Sequence, residues 1–329
     1  MRDVLPALQR WADAGDKFAL ATVVRTWGSS PRAVGSVMGV RADGATCGSV
    51  SGGCIESAVI EDAMQALSSG EARRLHFAHI TDEMAWEVGL SCGGEVDVWI
   101  DCLPADRDRK LWDELVAKLE HDEPCVLATL YDPFRQLLWT PGQDGTEIQA
   151  AYDARRSQEV EIDGKKWFCN VLSCRDRLVI IGAVHIAQSL VGFAKAVGFE
   201  TVVIDPRTAF AQNERFKTEP DKMIAKWPKE ALESVAINED TYAVVLTHDP
   251  KIDDAALEIL LRSPVAYIGA LGSRTTQAKR RNSLAAKGFT DEELDRIRGP
   301  VGLKIGANSP EEIALSIIAE IVQVKRSRG

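Results

Sequence analysis

Two cysteines in glycine-rich loops are the residues whose chemistry stands out first in this sequence. Cys54 follows a serine-glycine-glycine run at residues 51–53 and precedes residues 55–67, which have the apolar spacing of an amphipathic helix. Cys92 lies in a second such loop, residues 89–94, just before a strand-like segment. Unpaired amides and the dipole at a helix start favour anions and lower the pKa of a thiol. Both thiols are therefore candidates for a functional site, and inert core cysteines are the alternative, because free cysteine is often buried.

A strand, turn and helix pattern in the second half of the chain contains the next candidates. One strand-like segment (178–181) ends at Gly182, and another (201–204) ends at Asp205. In the dinucleotide-binding fingerprint, glycines let a phosphate approach the backbone, and an acid about 20 residues later binds the ribose. Here only the first glycine is present, because Val184 stands at the position of the second. The pattern predicts a Rossmann-like fold with a weakened signal for NAD; the alternative role of Asp205 is to cap a turn.

Two histidines fall near the carboxyl ends of predicted strands, where doubly wound sheets bind ligands. His185 begins the helical segment of the fingerprint, and His248 follows the strand-like residues 243–246. A single histidine is more often structural than functional. Position alone therefore assigns neither histidine a role.

The cysteine content argues against a disulfide framework. The chain has seven cysteines, an odd number, scattered from Cys47 to Cys174. We therefore expect reduced thiols. The most metal-like spacings pair His76 with His79 and Cys169 with Cys174, and both are weak because no paired CxxC knuckles are present.

The apolar pattern predicts an α/β architecture with two domains. A chain of 329 residues exceeds what one hydrophobic core usually organises. Residues 1–140 mix helical and strand-like segments, which predicts an amino-terminal mixed α/β domain. Residues 141–176 are polar and charged, and we predict a linker there. From 177 to 329 strands, one of them predicted over residues 265–268, alternate with helices. This alternation predicts a Rossmann-like doubly wound parallel sheet whose last helix begins with a capping box at Ser309.

The charge balance excludes several classes of partner. A formal net charge of −10 and a pI near 5.2 leave no general basic face for nucleic acid or an anionic membrane. No apolar run approaches the roughly 18 residues that span a bilayer, and the first residues lack a signal-peptide core. We therefore expect a cytoplasmic protein with no membrane or nucleic-acid partner, in which an anionic ligand meets a local cationic pocket.

Several separated blocks resemble the XdhC/CoxI family of xanthine dehydrogenase accessory proteins, in order across nearly the whole chain. The blocks are residues 28–32 with Gly35 and Met38, 48–56, 89–94, 182–187, 205–207, 247–249, 267–274 and 300–320. No single block would suffice, but their number and order make a strong signal. The Rossmann-like domain corresponds to the carboxyl-terminal half of the family.

The resemblance implies a maturation factor rather than a metabolic enzyme. Members bind the molybdenum cofactor, an anionic pterin with a phosphate, a dithiolene and an oxo-molybdenum centre, in its plain or cytosine dinucleotide form. They protect it while a cysteine desulfurase supplies the terminal sulfur, and they pass it to an apo-molybdenum hydroxylase. A homodimer is a further expectation, because symmetric dimers are the commonest assembly.

The resemblance also implies which residues would contact the cofactor. Glycine-loop amides and arginines suit its phosphate, and the thiolates of Cys54 and Cys92 suit molybdenum or dithiolene sulfur. His185 and Asp205 would orient the pterin. The full set of expected contacts is Arg32, Ser51, Gly52, Gly53, Cys54, Glu56, Cys92, Gly93, Gly182, His185, Asp205, Arg207, His248, Ser273, Arg274 and Lys304.

Two positions depart from the family pattern, and two alternatives stay open. Val184 replaces a glycine and narrows the space for a phosphate, whereas Lys304 replaces an aspartate and favours an anion. The first alternative is an NAD(P)-dependent oxidoreductase, which Asp205 supports and Val184 opposes. The second is a non-catalytic nucleotide-binding scaffold in which the degenerate Rossmann domain serves only packing.

Overall fold

The computed structural model, which describes residues 1–28, 30, 32–77, 94–102 and 109–328, divides into two compact units. They are Met1–Cys174 and Arg175–Gly329. The described elements of the first unit are α1 (Leu5–Asp13), β1 (Phe18–Trp27), β2 (Val37–Arg41), β3 (Thr46–Gly48), α2 (Glu56–Ser69), β4 (Arg73–Phe77), β5 (Glu95–Cys102), α3 (Arg109–Glu120), β6 (Cys125–Leu130), β7 (Arg135–Trp139), α4 (Thr146–Asp153), β8 (Gln158–Ile162) and β9 (Lys165–Leu172).

Two antiparallel sheets form the first unit. A five-stranded sheet has the order β3-β2-β1-β5-β4, and a four-stranded sheet has the order β7-β6-β9-β8. Alternate residues of β1 serve two cores, because successive side chains of a strand point to opposite faces. Ala21 and Val23 pack under α2, whereas Phe18 and Leu20 pack with α1 and α3. The mixed α/β character predicted for this half is confirmed.

The structure corrects the linker predicted for residues 141–176. This segment contains α4, β8 and β9, and β9 pairs with β6 from Cys125–Leu172 to Leu130–Trp167. Trp167 and Cys169 lie in a core with Trp139. The polar residues that suggested a linker belong partly to β8, the half-buried edge strand of its sheet, which keeps polar side chains on its solvent face.

The second unit is built on one parallel sheet. Its six strands have the order β12-β11-β10-β13-β14-β15, and every pairing is parallel. The described elements are β10 (Arg177–Ile181), α5 (His185–Ala196), β11 (Glu200–Ile204), a 3₁₀ turn (Asn213–Arg215), β12 (Lys222–Ile224), α6 (Pro228–Glu233), β13 (Thr241–Val245), α7 (Pro250–Leu260), β14 (Tyr267–Ala270), α8 (Arg274–Ala286), α9 (Asp291–Asp295), β15 (Ile297–Arg298) and α10 (Pro310–Ser327).

Helices cover both faces of this sheet. Val179 and Ile181 of β10 point into a core shared with α7, whereas Leu178 and Ile180 point into a second core shared with α5 and α10. A strand buried on both faces reads as a continuous apolar run, as β10 does. The predicted doubly wound, Rossmann-like sheet is therefore confirmed.

The last helix begins as its sequence predicts. The Ser309 hydroxyl accepts the amide of Glu312 at 3.2 Å, and the Glu312 carboxylate accepts the amide of Ser309 at 3.1 Å. This reciprocal pair is a capping box. None of the described helices combines the length and the apolar character that a bilayer-spanning segment needs.

Candidate functional site

The loop before α2 is organised around the carboxylate of Glu56. Its Oε1 accepts the Ser49 hydroxyl at 2.7 Å and the amides of Ser51 and Gly52 at 2.9 and 3.0 Å. Its Oε2 accepts the Gly53 amide at 2.9 Å and the hydroxyl of Ser51. Burial alone would raise the pKa of Glu56, but the hydrogen bonds from Ser51, Ser49 and the loop amides lower it to about 2. The loop therefore holds an anion that belongs to the protein itself.

The amides that we expected to receive a phosphate are thus occupied in this structure. Those of residues 51–53 donate to Glu56, and those of Cys54 and Ile55 donate to the Ser51 hydroxyl at 3.0 and 3.1 Å. An acid in the first turn also interacts favourably with the helix dipole. A ligand anion would have to displace the Glu56 carboxylate to reach these amides.

The first unit has two other candidates among its described residues, Cys54 and Arg32. Cys54 is half-buried and packs at the margin of the core beneath α2. Arg32 is half-buried, and its carbonyl accepts the Ser30 hydroxyl at 2.9 Å. Cys92 and Gly93 lie outside the described residues. The six cysteines that the structure describes form no disulfide with one another.

The weak metal-like spacings do not form a metal site in the described part of the chain. His79 lies outside the described residues, and His76 pairs with Asp97 instead. Cys169 is fully buried, and burial raises the pKa of its thiol to about 11. Cys174 donates to a backbone carbonyl at 3.1 Å. No group of three potential metal ligands occurs among the residues described.

The candidates of the second unit collect at one edge of the parallel sheet, because neighbouring parallel strands end on the same side. Gly182 and His185 follow β10, Asp205 and Arg207 follow β11, His248 follows β13, Ser273 and Arg274 follow β14, and Lys304 follows β15. This is the carboxyl edge, where ligands bind to open α/β sheets.

Gly182 turns the chain sharply between β10 and α5. Its φ is +109°, which strains any residue with a side chain. A Cβ atom at this position would also lie 2.6 Å from Cγ2 of Thr247, which follows the adjacent strand β13. Backbone conformation and close packing therefore both require glycine.

Asp205 is fully buried, and protein groups occupy both of its carboxylate oxygens. Oδ2 accepts the Ala183 amide at 2.9 Å and a terminal nitrogen of Arg207 at 2.7 Å. Oδ1 accepts the amide and the Nε of Arg207, both at 2.9 Å. Burial would raise the pKa of Asp205, but the hydrogen bonds from Arg207 and Ala183 lower it. Asp205, which we expected to contact a ligand, has an exposed fraction of 0%. It instead links the glycine turn to Arg207.

The amino end of α5 is open toward an anion. Its N-cap residue, Val184, provides no side-chain cap, whereas Asp249 and Ser273 cap the helices that follow β13 and β14. Arg207 leaves a third of its side chain exposed and stacks over the Phe210 ring at 4.2 Å. An uncapped helix start on the same edge as a partly exposed guanidinium suits a phosphate.

Besides Ser273, whose hydroxyl caps α8, four expected contacts at this edge are exposed: His185, His248, Arg274 and Lys304. His248 also has a φ of +62°. A left-handed conformation is uncommon for a residue with a side chain, and such residues cluster at ligand sites. Their exposure leaves all four available to a ligand.

The sequence analysis did not predict a buried ion pair at this edge. Arg280 donates to Asp253 at 3.3 Å, with side-chain exposures of 6% and 1%, and Asp253 accepts the Thr247 hydroxyl at 2.6 Å. Burial raises the pKa of Asp253. The pair links α7, α8 and the loop after β13. The one sequence signal is that each charge lies on the buried stripe of its helix, beside residues such as Leu257 and Leu284.

Comparison with known proteins gives two matching family models. The model described as XdhC Rossmann domain matches residues 178–321, and the model described as XdhC and CoxI family matches residues 11–78. Together they fall on both structural units.

Several relatives align with almost the whole chain. YqeB of Escherichia coli (strain K12), an uncharacterized protein, is 28% identical over 94% of this chain, which spans only 44% of YqeB. The molybdenum cofactor insertion chaperone PaoD of the same organism is 28% identical, over 95% of this chain and 85% of its own. A probable subunit of xanthine dehydrogenase from Bacillus subtilis (strain 168) is 27% identical, over 94% of both chains. A crystal structure of a xanthine dehydrogenase from Bacillus halodurans superposes with a TM-score of 0.76 and 28% identity, over 99% of this chain and 96% of that one.

Proposed function

Because this chain belongs to the XdhC and CoxI family, we propose that it binds the molybdenum cofactor and inserts it into a molybdenum hydroxylase of the xanthine dehydrogenase or aldehyde oxidase type. The observation that carries this proposal is the alignment with PaoD, a molybdenum cofactor insertion chaperone, over 95% of this chain. The cofactor is cargo in this proposal, and the protein is a carrier rather than an enzyme.

The finer steps concern partners. A cysteine desulfurase supplies the terminal sulfur while the chain shields the cofactor, and an apo-hydroxylase then receives it. The carrier works as a homodimer in this scheme, and the cofactor is the plain or the cytosine dinucleotide form. These steps rest on the family and on the chemistry of an oxygen-sensitive cargo.

The carboxyl edge of the second unit supports the binding of the anionic part of the cofactor. The uncapped start of α5 and the partly exposed guanidinium of Arg207 both favour a phosphate. The exposed cations Arg274 and Lys304 follow neighbouring strands on the same edge. They supply the local positive charge that a chain of net charge −10 needs for an anionic ligand.

The first unit supports a role for one thiol. Cys54 sits immediately after a loop that Glu56 holds in a defined conformation, and it is only half-buried. Soft sulfur ligands suit molybdenum and its dithiolene. In our proposal Cys54 approaches that end of the cofactor, and Cys92 shares the role.

A nicotinamide dinucleotide fits the second unit less well. The Asp205 carboxylate, which would bind the ribose, is buried and fully hydrogen-bonded within the protein. Val184 occupies the position of the second fingerprint glycine. NAD and NADP are therefore the discriminating ligands in the test.

The test is anaerobic binding of purified molybdenum cofactor, with bound molybdenum quantified after gel filtration. We expect stoichiometric binding by the natural chain and weaker binding by Cys54→Ala. Cys47→Ala is the matched control, because Cys47 is also half-buried in the first unit but lies outside the loop. A second readout is activation of an apo-hydroxylase by the loaded chain. Binding of NAD or NADP without any binding of the cofactor would replace this proposal with the oxidoreductase alternative.

A further inference from the structure

A β-bulge in β1 moves two of its residues to the opposite face of the sheet. Val23 pairs with Val98 of β5, but Arg25 pairs with Asp97, so one extra residue is inserted between them. An inserted residue reverses the alternation of side chains beyond it. Val23 lies in the core beneath α2. Without the bulge Arg25 would point into that core; with it, Arg25 and Trp27 share the face of Asp97.

Asp97 orients a histidine on this face. The adjacent strand β4 places His76 opposite Asp97, with 2.5 Å between the imidazole Nδ1 and the carboxylate Oδ1. Asp97 is 5% exposed and also accepts Arg74 at 2.6 Å. Burial would raise the pKa of Asp97, but the bonds from His76 and Arg74 lower it. The ionised acid holds the Nδ1 proton and turns Nε2 outward.

Neighbouring side chains hold the Asp97 and His76 pair in place through Arg74. Arg74 also pairs with Glu159 at 3.0 Å and lies over the Tyr131 ring at 5.1 Å. Tyr131 packs against Trp99 with ring centroids 4.6 Å apart. Side chains locked in this way hold His76 in one orientation, which favours specific recognition.

Three groups on this face remain available for a ligand. Trp27 is 59% exposed, and the His76 side chain is 53% exposed. Within the described ranges, the Arg25 guanidinium forms no ion pair or hydrogen bond, and Nε2 of His76 has no partner. An exposed indole, an unpaired guanidinium and an oriented imidazole match a planar heteroaromatic ring that carries an anionic substituent.

We propose that Trp27, Arg25 and His76 recognise the pterin end of the cofactor. The pterin ring stacks on the Trp27 indole, His76 Nε2 hydrogen-bonds a polar atom of the ring edge, and Arg25 pairs with the anionic dithiolene beside the ring. This inference rests on the proposed function. It adds a recognition face to the first unit that is distinct from the Cys54 loop, because the bulge puts Arg25 and Trp27 on the face of the sheet opposite α2.

Two pterin probes test the face without molybdenum. 6-Carboxypterin carries an anion and 6-hydroxymethylpterin does not, and calorimetry on the full chain measures the affinity of each. Trp27→Ala should weaken both by roughly tenfold or more, the size of an aromatic stacking contact, whereas Trp27→Phe should retain most of the affinity. Trp227→Ala is the matched control, because Trp227 is 51% exposed but belongs to the second unit.

Substitution of Arg25 should change the affinities for the two probes differently, which a loss of folding would not do. Arg25→Ala should weaken the binding of 6-carboxypterin and leave that of 6-hydroxymethylpterin nearly unchanged, since only the first probe carries an anion. His76→Gln should weaken both probes, with His121→Gln as its control, because His121 is exposed just after α3. Circular dichroism and urea unfolding show that each variant is folded.

Binding of the complete molybdenum cofactor is measured in parallel, so that failure of the recognition face can be distinguished from failure of the carrier function. If the natural chain binds the cofactor and Trp27→Ala binds cofactor and probes equally well, the recognition face is refuted and the carrier function stands. If the natural chain binds the probes through Trp27 but never the cofactor, the carrier function is refuted instead. A natural chain that binds neither probe also refutes the recognition face.

Discussion

Replacing Glu56 with glutamine should loosen the loop before α2 while leaving its size unchanged. The natural carboxylate accepts three hydrogen bonds on Oε1 and two on Oε2. Glutamine keeps one oxygen, but its amide nitrogen is a donor and would face the amide of Gly53 and the hydroxyl of Ser51. The hydroxyl can rotate to accept, whereas the amide cannot. At least one charge-assisted bond is lost.

The size of the effect follows from the pKa of Glu56. Its fall from 4.5 to about 2 corresponds to at most about 3 kcal/mol of stabilisation of the ionised form. Solvent screening of this partly exposed carboxylate reduces the figure to about 2 kcal/mol. One lost charge-assisted hydrogen bond alone gives about 1.5–3 kcal/mol. We therefore expect Glu56→Gln to destabilise the loop by about 2 kcal/mol at neutral pH.

The pH dependence has a definite sign. The pKa of Glu56 is lower in the folded protein than the ordinary 4.5. Its stabilisation is therefore complete above pH 4.5 and is lost as the pH falls through about 2. The difference between natural chain and variant should be constant at neutral pH and shrink below about pH 4.5.

Hydrogen exchange of a peptide covering residues 49–56 is the most direct assay, because it reports this loop rather than the unfolding of either unit. A change of about 2 kcal/mol corresponds to roughly 30-fold faster exchange of the loop amides. Glu61→Gln is the control, since Glu61 is exposed on the same helix. Unchanged protection in Glu56→Gln, or a loss of equal size in Glu61→Gln, would refute the role of the carboxylate.

Two further substitutions test the second unit by urea unfolding. Gly182→Ala should cost about 2 kcal/mol because of its positive φ and its contact with the Thr247 methyl group, and Thr247→Ser should recover the part due to the contact. Arg280→Ala should cost about 3–5 kcal/mol because it leaves Asp253 buried without its cation. Arg281→Ala, which breaks only exposed ion pairs, should cost under about 1 kcal/mol. These accounts would be contradicted if the two arginine variants were equally stable, or if Gly182→Ala were as stable as the natural chain.

Local sequence patterns predict most of the elements, because apolar periodicity within one segment is sufficient to define them. The helix predicted over residues 55–67 is observed as Glu56–Ser69, and the strand predicted over 178–181 is observed as Arg177–Ile181. The strand predicted over 265–268 is instead Tyr267–Ala270. Val265 is buried all the same, and an apolar residue just before a strand looks like part of it.

The candidate site could be predicted less completely. Residue types and the strand pattern placed Gly182, His185 and Asp205 at one sheet edge, because a βαβ unit always brings strand ends together. They did not show that Asp205 would be buried with both oxygens occupied. Nor did they show that Glu56, predicted as a ligand contact, would fill its own glycine-rich loop.

The sequence alone determined the fold class, the positions of most helices and strands, the capping box at Ser309 and the family resemblance, because each depends on residues close together or on motifs in order. Tertiary structure alone decided the partners of Glu56 and Asp205, the buried pair of Asp253 with Arg280, and the bulge that exposes Trp27. Each of these depends on three-dimensional contacts or on the register between strands. Burial and hydrogen-bond saturation are properties of such contacts, which spacing along one chain does not encode locally.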